Sequence, residues 1–322
     1  MRRGWLLLLA VAALVSGCGP DAPDPHVLRV GHFPNVTHAQ ALIGHRSTDA
    51  GRGWFEARLP AGTRVEWYVY NAGPSAMEAL WSGAIDLAYV GPNPALNAHI
   101  KSRGEEVRVV AGAARGGGGL VVPRASASTR PTDFRGKRIA TPQFGNTQDV
   151  ACRSWLTRGG LRVTQSGGDV MVVPTPNPEQ LSLFQQGRLA GVWTVEPWVS
   201  RLELEADGKL LVEEPAALTT ILVASARSLR ERAPLVRAFA TAHAELTTWL
   251  ITHPAEAKEE VAAEILRLTR VTLPGPVLDR SWARLRFQVD LSLADFTTLV
   301  DQAQQAGFLA DAIALDRFLA LR

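Results

Sequence analysis

The sequence predicts an α/β fold with two doubly wound lobes joined by a hinge and followed by a helical extension. Short apolar runs alternate with stretches of helical periodicity, and this order occurs twice along the 322 residues. A run of four glycines, 116–119, stands between two apolar runs, where a hinge needs backbone freedom; a plain flexible loop is the alternative interpretation. The last third of the chain has helical patterns interrupted at prolines and glycines.

In the first lobe, the clearest strand is 64–70, where Val65, Trp67 and Val69 alternate with other side chains at a period of two. Ser75 and Glu78 have the spacing of a capping box and predict a helix over 74–82. The other predicted elements are strands at 27–30, 85–90 and 107–111 and helices from near 37 and over 91–102.

The second lobe repeats this rhythm, and Gly159 and Gly160 end its first helix. Its predicted elements are strands at 120–122, 138–140, 170–173, 191–195, 210–212 and 220–224 and helices at 149–158 and 179–186. Chain crossings are expected near 116–122 and 219–223. Lobe 1 would then comprise 27–115 and 224–322, with a helical pattern from 228 onward, and lobe 2 would comprise 116–223.

Composition excludes several classes of protein. With 46% hydrophobic and 20% charged residues, the chain is globular and not disordered. The net charge is +3 and no basic cluster is interleaved with aromatics, so no nucleic-acid partner is predicted. Two cysteines exclude a disulfide framework and a Cys-rich zinc site, and the histidines lack metal-ligand spacing. No metal or cofactor is predicted.

The N-terminus predicts export. Arg2 and Arg3 precede an eleven-residue apolar run, 5–15, which is too short to span a bilayer. The sequence Val-Ser-Gly-Cys then resembles a bacterial lipobox ending at Cys18. We expect 1–17 to be a lipoprotein signal peptide, Cys18 the lipidated residue and 18–26 a flexible tether. The protein would be held on a membrane in the periplasm or cell envelope; an ordinary buried cysteine is the alternative.

Four loops that connect a strand to a helix share a composition rich in Gly, Pro, Asn, Ser and Thr: 34–38, 71–75, 91–94 and 145–148. The first turn of a helix has unpaired N–H groups and a partial positive charge, which suit a small anion. In doubly wound sheets such loops lie at the carboxyl ends of the strands, where ligands bind. The alternative is ordinary helix capping.

Four longer segments identify a family resemblance: GHFPNVTHAQAL (31–42), NAGPSAMEALWSGAIDLAYVGPNPAL (71–96), KRIATPQFGNTQD (137–149) and WTVEPW (193–198). Together they resemble the substrate-binding proteins of ABC importers for nitrate, taurine and aliphatic sulfonates, the aliphatic sulfonate branch most of all. The resemblance implies a type II periplasmic-binding-protein fold and a monomeric, non-enzymatic protein. It also implies capture of a small anionic solute between the lobes and delivery to a membrane permease that works with a separate ATPase.

The resemblance also implies which residues face the ligand. Carried over by position, they are Asn35, Thr37, His38, Gly73, Pro74, Ser75, Gly91, Pro92, Asn93, Gly145, Asn146, Thr147, Gln148, Trp193 and Glu196. Trp193 could pack on an alkyl tail or in the core. Glu196 could contact a ligand amino group, pair with an arginine or cap its own helix. Arg115, beside the glycine run, could face the cleft or solvent.

Two other functions stay open at this point. The same fold hosts enzymes related to pyrimidine synthesis and deamination, but these need a cofactor-carrying cysteine or a Cys-rich motif with reactive Lys and His, and neither occurs. A sensory binding protein would look the same in sequence. The ligand also stays open among sulfonate, sulfate ester, nitrate, phosphonate and a neutral heterocycle, because backbone donors recognise shape more than identity.

Overall fold

A computed structural model of the chain describes residues 24–165, 167–309, 315 and 317–320. The predicted signal peptide, Cys18 and most of the predicted tether lie outside these residues. The strands are β1 Val27–His32, β2 Arg64–Val69, β3 Leu87–Val90, β4 Val107–Gly116, β5 Gly118–Pro123, β6 Arg138–Thr141, β7 Val163–Thr164, β8 Gly167–Gly168, β9 Met171–Pro174, β10 Gly191–Val195, β11 Gly208–Glu213, β12 Leu218–Ser225 and β13 Leu285–Phe287. The helices are α1 Ala39–Asp49, α2 Gly73–Trp81, α3 Pro92–Lys101, α4 Thr147–Arg158, α5 Asn177–Gln185, α6 Trp198–Glu205, α7 Ala226–Glu231, α8 Ala233–Thr252, α9 Pro254–Thr269, α10 Gly275–Ala283 and α11 Leu293–Gln305.

The strands form two main sheets, one in each lobe. The first has the order β13-β4-β12-β3-β1-β2 and the second the order β11-β5-β10-β6-β9. In the first sheet β1 is parallel to β2 and β3, and in the second β6 is parallel to β9 and β10. Each sheet also contains an antiparallel strand next to its parallel strands: β12 is antiparallel to β3, and β5 is antiparallel to β10. The predicted two-lobed α/β fold is confirmed.

Each sheet buries apolar side chains on both faces. In the first lobe, one core contains Leu42 and Phe239 and the other contains Leu80 and Phe296. In the second lobe, Val192 and its neighbour Trp193 belong to the cores on opposite faces, as side-chain alternation along a strand requires. This burial on both faces explains why the strands read as continuous apolar runs rather than alternating ones.

The chain leaves the first sheet within the glycine run. Gly116 and Gly117 have φ angles of 75° and 70°, which only glycine adopts without strain. A Cβ atom at Gly116 would also lie 2.5 Å from the backbone oxygen of Arg284. The chain returns between β11 and β12, and β12 lies wholly in the first sheet. The predicted second crossing at 219–223 is therefore wrong, since the return occurs at 214–217. The sequence could not place it because a buried apolar strand has the same pattern in either sheet.

The C-terminal part of the chain bridges both lobes, whereas the sequence assigned it to lobe 1 as helices alone. Strand β13 pairs with β4 at the edge of the first sheet. Helix α11 contacts the second lobe, where the Ser154 hydroxyl donates to Gln305 Oε1 at 2.8 Å. The rings of Phe144 and Phe308 also meet, at 5.0 Å between centroids. None of the helices in the described part of the chain combines the length and apolar character that crossing a bilayer requires.

Candidate anion-binding cleft

A small cavity of about 30 Å³ lies where the strand-to-helix loops of the two lobes meet. Its lining residues are Phe33, Asn35, Thr37, His38, Asn71, Ala72, Gly73, Gly91, Pro94, Pro142, Asn146, Thr147, Gln148, Asn177, Val195 and Thr219. A single water needs about 10–15 Å³ measured in this way, so the cavity suits a compact group of a few heavy atoms. Eight predicted ligand residues line it: Asn35, Thr37, His38, Gly73, Gly91, Asn146, Thr147 and Gln148.

The lining offers hydrogen-bond donors without a formal charge, since none of its residues is Asp, Glu, Lys or Arg. His38 is 2% exposed, and its burial lowers the pKa of the imidazole well below the usual 6.5. The Phe33 N–H donates to His38 Nδ1 at 3.4 Å, so the neutral ring carries its proton on Nε2. Helices α2 and α4 begin at Gly73 and Thr147, so free N–H groups of their first turns add to these donors.

The first turn of α4 is held by a buried charge network. Asn146 caps the helix, its Oδ1 accepting from the Asp149 N–H at 2.8 Å. The Asp149 carboxylate accepts from the Thr141 hydroxyl at 2.7 Å and from the Gly145 N–H at 3.0 Å. Arg153 neutralises it at 2.9 Å, with both side chains almost fully buried. The network positions the loop and leaves no uncompensated negative charge beside the cavity.

The lobes touch each other around this cavity. The Asn93 N–H, in lobe 1, approaches Thr147 Oγ1, in lobe 2, at 3.4 Å. A Cβ atom added to Gly91 would lie 2.4 Å from the same Oγ1. The Trp198 indole N–H, in lobe 2, donates to Asn35 Oδ1, in lobe 1, at 3.2 Å. The small cavity is thus enclosed by direct contacts between the lobes.

A second cavity of about 770 Å³, here called the chamber, adjoins the small one. The two share five lining residues: Asn35, Asn71, Ala72, Pro142 and Asn177. Ser75 lines the chamber, and its hydroxyl donates to the Ala72 carbonyl at 2.9 Å. Ala72 is the N-cap of α2 and no side chain among the described residues caps this helix, so the predicted capping box of Ser75 and Glu78 is wrong.

Four predicted residues lie near the cleft without lining either cavity. Pro74 and Pro92 occupy the first turns of α2 and α3, where a missing N–H costs little. Asn93 and Gly145 line a separate void of about 10 Å³ between α3, α4 and the segment after α11. The Asn93 side-chain amide is buried there with no hydrogen-bond partner among the described residues.

Trp193 lines neither cavity, and of the two positions left open for it the structure shows core packing. It is 1% exposed, packs in a core of the second lobe with Leu156, and its indole N–H donates to Glu214 at 3.1 Å. The alternation of side chains along β10 turns it to the sheet face that packs against α4.

Glu196 also lines neither the small cavity nor the chamber. Its carboxylate accepts from the Ser200 N–H at 3.1 Å and from the Ser281 hydroxyl at 2.8 Å, and pairs with Arg284 at 3.1 Å. Capping and pairing thus both occur, and burial raises the pKa of Glu196. Arg115 also has a partner outside the cleft, since it pairs with Asp295 at 2.6 Å.

Several lining residues were not among the expected ligand residues, including Asn71, Pro142, Asn177 and Trp198, although Asn71 belongs to the loop 71–75 that was singled out. Asn177 follows β9 in the sequence Pro-Thr-Pro-Asn-Pro, at the carboxyl end of a strand parallel to β6. This loop has the same composition and place as the four that were singled out, so the same rule could have found it. Trp198 ends the family-like segment 193–198, but the helix that it begins was not predicted.

Residues 21–266 match the sequence model of the NMT1-like family, and the chain belongs to that family. A taurine-binding periplasmic protein of Escherichia coli is 29% identical over 153 residues, which are 48% of this chain and 45% of that protein. A Bacillus subtilis protein, provisionally described as aliphatic sulfonates-binding, is 26% identical over 222 residues, 66% of this chain and 62% of that one. The chain therefore spans less than two thirds of the length of each relative.

Solved structures share the fold. An alkanesulfonate-binding protein from Xanthomonas axonopodis pv. citri, bound to MOPS, has a TM-score of 0.74 at 22% identity, covering 94% of this chain and all of that one (100%). The periplasmic aliphatic sulphonate binding protein of Escherichia coli has a TM-score of 0.68 at 19% identity, covering 88% and 91%. The chain thus has the two-lobed periplasmic-binding-protein fold that the sequence predicted.

Proposed function

We propose that this chain is the extracytoplasmic solute-binding component of an ABC importer and that it captures an organic sulfonate between its lobes. The observation that carries the proposal is the small cavity, where both lobes present uncharged donors and helix starts to one compact site. The names of the two relatives support the ligand class. A permease with a separate ATPase would receive the solute.

The donor chemistry favours a sulfonate over a dianion. A sulfonate is a monoanion throughout the physiological pH range, so neutral hydrogen-bond donors and partial helix charges can balance it. A phosphomonoester carries nearly two charges near pH 7. Full desolvation of such a dianion calls for a cation, and none of the side chains lining the small cavity supplies one.

The experiment is calorimetry of the exported chain with benzenesulfonate and methanesulfonate, comparing Thr147→Val with Ser75→Ala. The O–H of Thr147 donates to no acceptor among the described residues, whereas the Ser75 hydroxyl already donates to the Ala72 carbonyl. A hydrogen bond to a charged group is worth about 1.5–3 kcal/mol, so Thr147→Val should weaken binding roughly ten- to a hundredfold. Ser75→Ala should change it less than about threefold. If no sulfonate binds, the proposed function is wrong. If sulfonates bind and both variants bind like the unmodified protein, the anion site lies elsewhere.

We also propose that Cys18 carries a lipid and anchors the protein to a membrane. The supporting features are the charged start, the short apolar run and the lipobox-like sequence at residues 15–18. When expressed in a bacterium that processes lipoproteins, Cys18→Ala should move the protein from the membrane to the soluble or secreted fraction. Cys152→Ala, in the buried core of the second lobe, is the matched control and should leave it on the membrane. Retention of the Cys18 variant after a high-salt wash would contradict the anchor.

A further inference from the structure

The structure also narrows the ligand beyond its head group. Resting on the proposed function, we infer that the ligand carries a bulky, uncharged and largely apolar body of ring size, which occupies the chamber. Sulfonates that bear an ammonium group, or no body at all, are poor ligands.

The chamber has the volume for such a body. At about 770 Å³ it exceeds the small cavity many times over and falls in the range of about 300–1,000 Å³ typical of sites for drug-sized molecules. The residues shared by the two cavities make them neighbours. We therefore place the oxyanion in the small cavity and the body of the same molecule in the adjacent chamber.

The chamber walls are rigid and mostly apolar. Six prolines line it: Pro34, Pro142, Pro174, Pro176, Pro178 and Pro197. Proline has no N–H, so these walls offer few backbone donors to a polar substituent, and their fixed φ angles lower the entropy lost on binding. Leu181, Leu273 and the ring of Trp198 complete a surface that suits an aromatic or cyclic body.

Among the described residues lining the chamber, the one charged side chain is a cation that already pairs with a carboxylate outside the lining. The lining contains no carboxylate, so a buried ammonium would lose water without gaining a partner. The single cation, Arg201, donates from Nε to both oxygens of Glu205, at 3.0 and 3.2 Å, and its guanidinium lies over the Trp198 ring at 4.8 Å. Gln143 Oε1 is buried in the lining with no hydrogen-bond partner in the described part of the chain, so it can accept from a neutral O–H or N–H on the body.

Two matched ligand pairs test the inference by calorimetry with the exported chain. Benzenesulfonate and methanesulfonate share the head group, and benzenesulfonate should bind roughly thirtyfold more tightly or better, because its ring buries apolar area. Propane-1-sulfonate and taurine are nearly isosteric, and taurine should bind about tenfold more weakly or worse. Equal affinities within either pair would overturn the inference while leaving the proposed function intact. Failure of every sulfonate to bind would overturn both.

A variant at the rim of the chamber tests why benzenesulfonate should bind more tightly. It distinguishes a ring that lies in the chamber from a ring that only makes the ligand more apolar. Thr272 is exposed and lines the chamber, so Thr272→Trp can fill part of it without disturbing the core. Benzenesulfonate should lose at least about tenfold in affinity, and methanesulfonate should bind within about twofold of its affinity for the unmodified protein. If benzenesulfonate is unaffected, or both ligands lose equally, the body does not occupy the chamber.

Discussion

Between pH 7 and pH 5 the free energy of unfolding is expected to fall by about 4 kcal/mol through the fully buried His32 and His243 alone, and the buried His38, whose pKa is also lowered, adds to this fall. Burial lowers the pKa of His32 to about 3 and that of His243 to about 4, from the usual 6.5. His243 is held neutral between the Tyr89 hydroxyl at 2.9 Å and the Gly112 carbonyl at 2.8 Å. In the native state neither ring gains a proton over this range.

The sign follows from where the protons bind. The unfolded chain protonates both histidines below about pH 6.5 while the native state does not, so acid favours the unfolded state. Each ring contributes about 2 kcal/mol at pH 5, at about 1.4 kcal/mol per unit of pH below 6.5. This stabilisation is fully present above pH 6.5 and is lost progressively as the pH falls toward 4 and 3. Burial raises the pKa of Glu196 and Glu214, which acts in the opposite sense.

The measurement is denaturant unfolding at pH 7, 6 and 5 of the unmodified chain and of His243→Asn. The variant should be less stable at pH 7, because Tyr89 and Gly112 lose a partner. Its further loss between pH 7 and 5 should be smaller by about 2 kcal/mol, and the contributions of the carboxyl groups cancel in this difference. Identical losses in the two proteins would show that His243 is protonated in the native state.

Patterns among neighbouring residues were enough to predict most of the fold and part of the candidate site. The two lobes were predictable because apolar periodicity and the glycine run are properties of neighbouring residues. The four loops were predictable because parallel strands bring their carboxyl ends to one edge. Helix α6 and the three-residue strand β13 were missed, since neither shows enough periodicity. The crossing before β12 was misplaced because partner choice between two sheets depends on tertiary packing.

Parts of the site could not be predicted because they depend on contacts between residues far apart in sequence. Glu196 looked available to a ligand because its partner Arg284 is 88 residues away in sequence. Trp193 follows Val192 in a run in which every residue is buried, so the sequence gives no indication of which face each side chain takes. The chamber could not be predicted either, because its walls come from residues far apart in sequence. It forms where the end of α9 and the loop after it cover the second lobe's proline-rich loops.

Gly91→Ala is expected to weaken ligand binding roughly a hundredfold, about 2.7 kcal/mol, with little loss of stability. At Gly91 the φ and ψ angles are −63° and 147°, which alanine adopts freely, so the first lobe should fold normally. The new Cβ atom would lie 2.4 Å from Thr147 Oγ1 of the other lobe, well inside contact distance. Either the Thr147 hydroxyl must rotate away from the cavity or the lobes must separate there, and both changes should weaken binding. Calorimetry with benzenesulfonate and thermal unfolding without ligand measure the two effects separately.

The double variant Gly91→Ala/Thr147→Ala identifies the cause. Removing the Thr147 hydroxyl leaves its Cβ at 3.4 Å from the new methyl group, an ordinary contact, so the lobes can close again. Thr147→Ala should therefore weaken binding in the unmodified protein, where the hydroxyl donates to the anion, but strengthen it in the Gly91→Ala background. A change of sign between the two backgrounds is the signature of steric coupling between the lobes. If Thr147→Ala weakens binding equally in both, the methyl group acts within the first lobe, and enclosure of the anion by contact between Gly91 and Thr147 is wrong.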